Sequence, residues 1–156
     1  MSYVFDNSPL STLFKNFYRN RFPSLWVLFD DLVATGRIVS TREVLREIED
    51  GPTESLRDWA AQNQQLFTVP TAAEGAFVTR IYANPHFQQN IEQQKILKGG
   101  KNADPFVIAK AFVVQGTVVT MELFKPNGAK IPNICRHFNI QCVTLEEFME
   151  QEGWQF

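Results

Sequence analysis

The chain has 156 residues, 44% of them hydrophobic and 21% charged, a composition that excludes an intrinsically disordered protein and allows one sizeable core. Its formal net charge of -2 excludes recognition of long nucleic acid through bulk positive charge, so any such contact must come from local basic groups. The longest apolar stretch, Phe106 to Val114, is interrupted by Lys110 and is far below membrane-spanning length.

Tyr3-Val4-Phe5 reads as a short buried strand ending at Asp6-Asn7. Ser8-Pro9 has the pattern of an N-cap followed by proline at the first helical position, and Leu10, Leu13, Phe14, Phe17 and Tyr18 then recur at helical spacing. Pro23 opens a second helix with Leu25, Leu28, Phe29 and Leu32 on one face, and Gly36 ends it. Trp26 and Val27 lie off that face and are candidates for contact with a partner or a twin subunit. Arg37-Ile38-Val39 is a second strand, and Ser40-Thr41 starts a helix carrying Val44, Leu45 and Ile48.

Residues 53–98 read as a polar helical region in which Leu56, Trp59 and Ala60 are buried and Leu66 to Pro70 is a loop or edge element. Lys98-Gly99-Gly100-Lys101 is a loop, and Asp104-Pro105 begins a helix through Val114. Gly116 turns the chain into the strand Thr117 to Thr120, and Pro126-Asn127-Gly128 is a turn. A short helix near Ile134 to Phe138, a strand at Gln141 to Val143 and a last helix capped by Thr144 complete the chain. Strands alternating with helices predict an α/β fold, three-layer α/β/α with a central, mainly parallel sheet, in one domain over 1–156. The first apolar run ends at Asp6, before any signal-peptide length is reached. Cys135 and Cys142 have neither CxxC nor zinc-finger spacing, so they read as a reduced pair in a cytoplasmic protein.

Asp6, Glu47, Asp104 and Glu122 fall at the ends of apolar segments. In an open α/β sheet the crevice outside the carboxyl ends of the strands holds the ligand, and carboxylates gathered there suit a hard divalent cation. Each also has a plainer explanation. Asp104 before Pro105 is a helix cap, Glu47 shares a charged face with Glu43, Arg46 and Glu49, and Glu122 is a loop carboxylate. Asp6 is harder to explain away, because Ser8 already supplies a cap. Lys95, Lys98 and Lys101 around two glycines are placed to guide a phosphate backbone or simply to stay solvated, and no P-loop ending follows them. His86 and His137 are isolated, and no nucleophilic triad has a signature here. An aspartyl phosphatase would want a second Asp two residues after Asp6, where Ser8 stands.

The segments bearing these carboxylates resemble the motifs of PIN-domain nucleases. Tyr3-Val4-Phe5-Asp6-Asn7-Ser8 is similar to their opening strand, Val44-Leu45-Arg46-Glu47-Ile48 to their second motif, Asn102-Ala103-Asp104-Pro105 to their third, and Val118-Val119-Thr120-Met121-Glu122 to their fourth. The resemblance spans nearly the whole chain and is nearest to a small prokaryotic branch that looks like toxins of type II toxin–antitoxin modules. It implies a metal-dependent endoribonuclease that uses Mg²⁺ or Mn²⁺ to cut single-stranded RNA. Asp6, Glu47 and Asp104 would be metal ligands, and Glu122 a second or outer position. Ser8 and Thr120 would orient water or carboxylates, and Lys98 and Lys101 would contact nucleic acid. Implied partners are single-stranded or structured RNA, an antitoxin protein and a twin subunit in a homodimer. Position 122 departs from the family in carrying Glu rather than Asp. That departure keeps open an alternative, a degenerate PIN-like binding protein acting through a protein partner.

Overall fold

The structure is a computed structural model that describes residues 1–97 and 102–156, with side chains described for all of these except 93–97. The loop expected at Lys98 to Lys101 therefore lies outside the described residues.

Five parallel strands form the sheet among the described residues: β1 (Tyr3–Phe5), β2 (Ile38–Thr41), β3 (Phe67–Thr68), β4 (Thr117–Val119) and β5 (Cys142–Val143). Their order is β3-β2-β1-β4-β5, so the chain builds outward from β1 in one direction and then returns to build in the other. Parallel crossovers are right-handed, and reversing direction sends the connecting helices to the opposite face. On one face Tyr3 and Phe5 meet Phe148 of α9 (Leu145–Gln151) edge-on at 4.7 and 5.1 Å, and Phe5 meets Phe29 of α2 (Pro23–Ala34) at 6.4 Å. The opposite face is covered by α7 (Asp104–Val114), which packs on β1, β2 and β4 and carries α5 (Ala72–Tyr82) and α8 (Ile131–His137) against it. This is the three-layer α/β/α arrangement that the strand–helix alternation predicts.

Several boundaries differ from the sequence reading, each for a local reason. The first helix, α1 (Asn7–Asn16), is capped by Asp6, not Ser8: Asp6 Oδ1 accepts the Asn7 amide at 2.8 Å. Strand β2 runs on to Thr41, because Ser40 and Thr41 pair with Phe67 and Thr68 and the Ser40 hydroxyl donates to the Phe5 carbonyl at 2.7 Å. Thr41 then caps α3 (Arg42–Glu49). The 53–98 region is broken into α4 (Glu54–Gln62), the edge strand β3, α5 and α6 (Gln88–Leu97). A capping box between Thr71 and Glu74 restarts the helix after Pro70, and Asn84-Pro85 interrupts it again. Trp26 is a core residue, 3% exposed, with its indole N–H donating to the Phe17 carbonyl at 2.6 Å; Val27 stays exposed.

Two polar features tie the layers together. Lys110, the charge inside the apolar helix α7, is buried and donates to the Thr68 hydroxyl. Burial pushes its pKa down, and the charge of Glu74 on α5 opposes that shift. At the amino end of the sheet, Glu152 accepts a 2.6 Å hydrogen bond from the Tyr3 hydroxyl and two from Arg37, at 3.0 and 2.8 Å. Gly116 starts β4 where a Cβ would lie 2.7 Å from the Ser2 carbonyl oxygen, so the close approach of the two chain segments requires glycine.

The Glu152 clasp has a definite pH signature. Burial alone would raise its pKa, but the hydrogen bonds from Tyr3 and Arg37 hold it below the usual carboxylate value. Stability from a carboxylate lowered in the folded state is present above its unfolded pKa, about 4.3, and is lost as pH falls through the folded value. Glu152→Gln is expected to cost about 1–2 kcal/mol at neutral pH, a melting-temperature loss of about 2–8 °C. Thermal melts across the acid range check this, and the gap to the wild type should close as the pH drops. A gap that is absent at neutral pH, or unchanged in acid, would show the clasp to be inert.

Candidate metal centre

The reversal of chain direction at β1 leaves a crevice between the carboxyl ends of β1 and β4, the place where open parallel sheets hold ligands. Asp6 follows β1 directly, and its amide still joins the sheet by donating to the Val119 carbonyl at 3.0 Å. Glu122 lies on the loop that leaves β4. Asp104 is the first residue of α7, which lies across the strands that carry the other two. Ligand atoms of Asp6, Asp104 and Glu122 all come within 4.8 Å of one another, with Asp6 3% and Asp104 0% exposed.

Asp6 is fixed by two hydroxyls. The Thr120 hydroxyl donates to Asp6 Oδ2 at 3.0 Å and the Ser8 hydroxyl to the same oxygen at 3.4 Å. Each hydroxyl in turn accepts a backbone N–H from the loop after β4: Glu122 N to Thr120 Oγ1 and Met121 N to Ser8 Oγ, both at 3.2 Å. The loop bearing Glu122 is thus tied to the carboxylate it faces.

Asp104 does not serve as the helix cap that its position before Pro105 suggests. Ala103 occupies the N-cap position with no side-chain cap, and the Asp104 amide donates to Asn102 Oδ1 at 3.2 Å. The Asp104 carboxylate instead turns inward and accepts from Asn90 Nδ2 at 3.0 Å. Asn90 is 0% exposed and is held by the Tyr82 hydroxyl at 3.2 Å and Asn102 Nδ2 at 2.8 Å, both donating to its Oδ1. Sequence reasoning missed this trio. Asn90 is one amide in a polar helix, and nothing local distinguishes it from Gln88, Gln89 or Gln93; only the packing of α6 against the start of α7 selects it.

Glu47, half-buried on α3, reaches the same neighbourhood from the other side: its Oε2 accepts the Ala103 amide at 3.3 Å. It touches the backbone beside Asp104 but does not join the group formed by Asp6, Asp104 and Glu122. Ser8 and Thr120 sit against Asp6. Lys98 and Lys101 lie outside the described residues.

The negative charge of the cluster is felt by its neighbours. The Tyr82 phenol is pushed well above its ordinary value, first by burial and then by Asp104. The buried Cys135 thiol is also raised, by hydrogen bonding with Cys142 and by burial, with Glu122 and Asp104 adding to the effect. Both cysteines are free, as the spacing predicts.

The donor set suits a small hard cation. All three groups are oxygen ligands, and a hexacoordinate ion about 2.1 Å from its oxygens spans about 4.2 Å between opposite ones, close to the spread seen here.

The geometry can be set beside known proteins. Residues 3–156 match a family described as a domain of unknown function, DUF4411. No curated protein matches the chain in sequence. Among solved structures the chain is similar in fold to the crystal structure of VapBC2 from Rickettsia felis bound to a DNA fragment from their promoter, with a TM-score of 0.55 and 14% identity. That similarity covers 92% of this chain and 98% of the other. Among the described residues no helix is long and apolar enough to cross a membrane. With nearly its full length matched, the chain belongs to the DUF4411 family, and it has the PIN-like fold that its motifs resemble.

Proposed function

We propose that this protein is a metal-dependent endoribonuclease that cuts single-stranded RNA and serves as the toxin of a toxin–antitoxin module. One observation carries the reading: Asp6, Asp104 and Glu122 converge within 4.8 Å in the crevice at the carboxyl ends of β1 and β4. Residues 1–156 act as one PIN-like domain in this account.

Asp6, Asp104 and Glu122 would hold Mg²⁺ or Mn²⁺, with Glu47 beside them as a further carboxylate. Such an ion supplies a water of lowered pKa and neutralises charge on the phosphoryl group. The chain's own residues set the stage for it. Ser8 and Thr120 fix the rotamer of Asp6, and Asn90 fixes that of Asp104, so two ligands are positioned before any cation arrives. Glu122 sits on a loop tied by Met121 and its own amide, which lets its longer arm close on the cation without moving β4. Lys98 and Lys101 are our candidates for backbone contacts with the RNA.

The partner protein of such a module needs a face of its own. A cavity of about 1150 Å³ opens between α1, α2 and α4, lined in part by the partly buried Phe14, Phe17 and Val33. Tyr18, on the segment after α1, and Val27 and Leu28 on α2 remain exposed. An antitoxin, or a twin subunit, fits that apolar face. The fold's likeness to a protein crystallised as VapBC2 on promoter DNA supports this assignment. Should the pocket be degenerate, the same face would carry the function alone, and the chain would bind Mn²⁺ poorly.

Cleavage of single-stranded RNA is expected only with added Mg²⁺ or Mn²⁺, and a gel assay with and without EDTA checks it. Cleavage that persists in EDTA would sink the metal mechanism. Asp104→Asn is expected to melt at or above the wild-type temperature in metal-free buffer, because it removes one of the crowded charges. Its Mn²⁺ affinity by calorimetry should fall by more than about tenfold, since an outer-shell change already costs 10- to 100-fold, and RNA cleavage should be lost. Wild-type affinity in that variant would remove Asp104 from the site.

A further inference from the structure

A closed ring of hydrogen bonds ties the Asp104 side chain to its own backbone. The Asp104 amide donates to Asn102 Oδ1 at 3.2 Å, Asn102 Nδ2 donates to Asn90 Oδ1 at 2.8 Å, and Asn90 Nδ2 returns to Asp104 Oδ2 at 3.0 Å. Tyr82 adds a second path in the same direction. Its hydroxyl accepts from Asn102 Nδ2 at 3.1 Å and donates to Asn90 Oδ1 at 3.2 Å. Asn90 and Asp104 are both fully buried, so bulk water does not compete for these bonds.

Chemistry fixes the sense of the ring from both ends. A backbone N–H can only donate, so the Asn102 atom that meets the Asp104 amide has to be its carbonyl oxygen. An ionised carboxylate can only accept, so the Asn90 atom that meets it has to be its amide nitrogen. The two remaining ends, Asn102 Nδ2 and Asn90 Oδ1, are then a matched donor and acceptor. Flipping either amide would set donor against donor or acceptor against acceptor at two points of a buried network, which is costly. With Tyr82 on α5, Asn90 on α6 and Asn102 just before α7, three segments hold the carboxylate at one orientation.

We propose that this ring makes the centre select a small six-coordinate cation, Mg²⁺ or Mn²⁺, over Ca²⁺. Mg²⁺ demands near-octahedral oxygens at about 2.0–2.1 Å, whereas Ca²⁺ takes six to eight oxygens at about 2.3–2.6 Å and uses carboxylates through one oxygen or two. Selectivity between such ions follows from ligand number and flexibility. A carboxylate locked to its own backbone suits the smaller ion and denies the larger one its adjustment. Asn90 and Asn102 are thus positioning residues that act through Asp104. The inference rests on the metal reading above and adds the residues that decide which cation is taken.

The test is calorimetric titration of the full chain with MnCl₂ and, separately, with CaCl₂, beside thermal melts in EDTA that verify folding. Wild type should bind Mn²⁺ more than about tenfold more tightly than Ca²⁺. Asn102 is only half-buried, so Asn102→Ala opens the ring with little disturbance of the core. Its Mn²⁺ affinity should fall about 10- to 100-fold, the usual effect of losing a group that orients a metal ligand, while Ca²⁺ affinity changes by less than about threefold. Asn102→Asp keeps an acceptor for the Asp104 amide, loses the donor to Asn90 and adds a negative charge. It should lose Mn²⁺ affinity as the Ala variant does, in spite of that charge, and Asn90→Ser should repeat the loss. Parallel weakening of both ions, unchanged Mn²⁺ affinity in Asn102→Ala, tighter Mn²⁺ binding by Asn102→Asp, or a wild type that holds Ca²⁺ as well as Mn²⁺ would overturn the ring as selector and leave the metal reading standing. A wild type that binds neither ion would overturn both.

Discussion

The burial of converging carboxylates at the carboxyl ends of β1 and β4 is the constraint around which this molecule is organised. Asp6 and Asp104 are taken almost wholly out of water, and Glu122 is brought against them. Burying ionised groups costs several kcal/mol each unless hydrogen bonds or a counter-charge offset it. The fold offers hydrogen bonds from every layer: hydroxyls from Ser8 and Thr120 at the strand ends, and an amide from Asn90 on the helical face. These bonds orient the carboxylates. Oriented carboxylate oxygens gathered at the carboxyl ends of parallel strands are a donor set that suits a hard cation.

The sheet order makes the crowding unavoidable. Because β1 lies between β2 and β4, the residue after β1 and the loop after β4 must open into the same crevice. Helix α7 crosses from the far face and delivers Asp104 at its first turn, where the helix dipole also favours an anion. Between β2 and α7 the chain runs through β3 and several helices, and its cargo explains part of that length. It supplies Thr68 and Glu74 around the buried Lys110, and Tyr82 and Asn90 around Asp104.

What could be read in the sequence divides along physical lines. Asp6, Asp104 and Glu122 were legible because each ends or begins an apolar run, and the topology of a parallel sheet then says which ends meet. Most helix starts were legible from proline and threonine, which act within one turn. The cap of α1 was misplaced by two residues because Ser8 and Asp6 both have capping oxygens, and only the position of the sheet edge decides between them. Trp26 was misjudged because a helix packed between two others buries more than one stripe. Asn90 and Tyr82 were invisible, since their roles are set by contacts between α5, α6 and α7 that no local pattern encodes.

The most direct measurement is anomalous diffraction from crystals grown with Mn²⁺. The account predicts a single strong anomalous peak, or a close pair, bound by carboxylate oxygens of Asp6, Asp104 and Glu122 at about 2.0–2.3 Å, near the Mg²⁺ ligand range. Glu47 should be within one water of it. A peak elsewhere on the molecule, or none at Mn²⁺ concentrations that saturate calorimetry, would contradict the central claim.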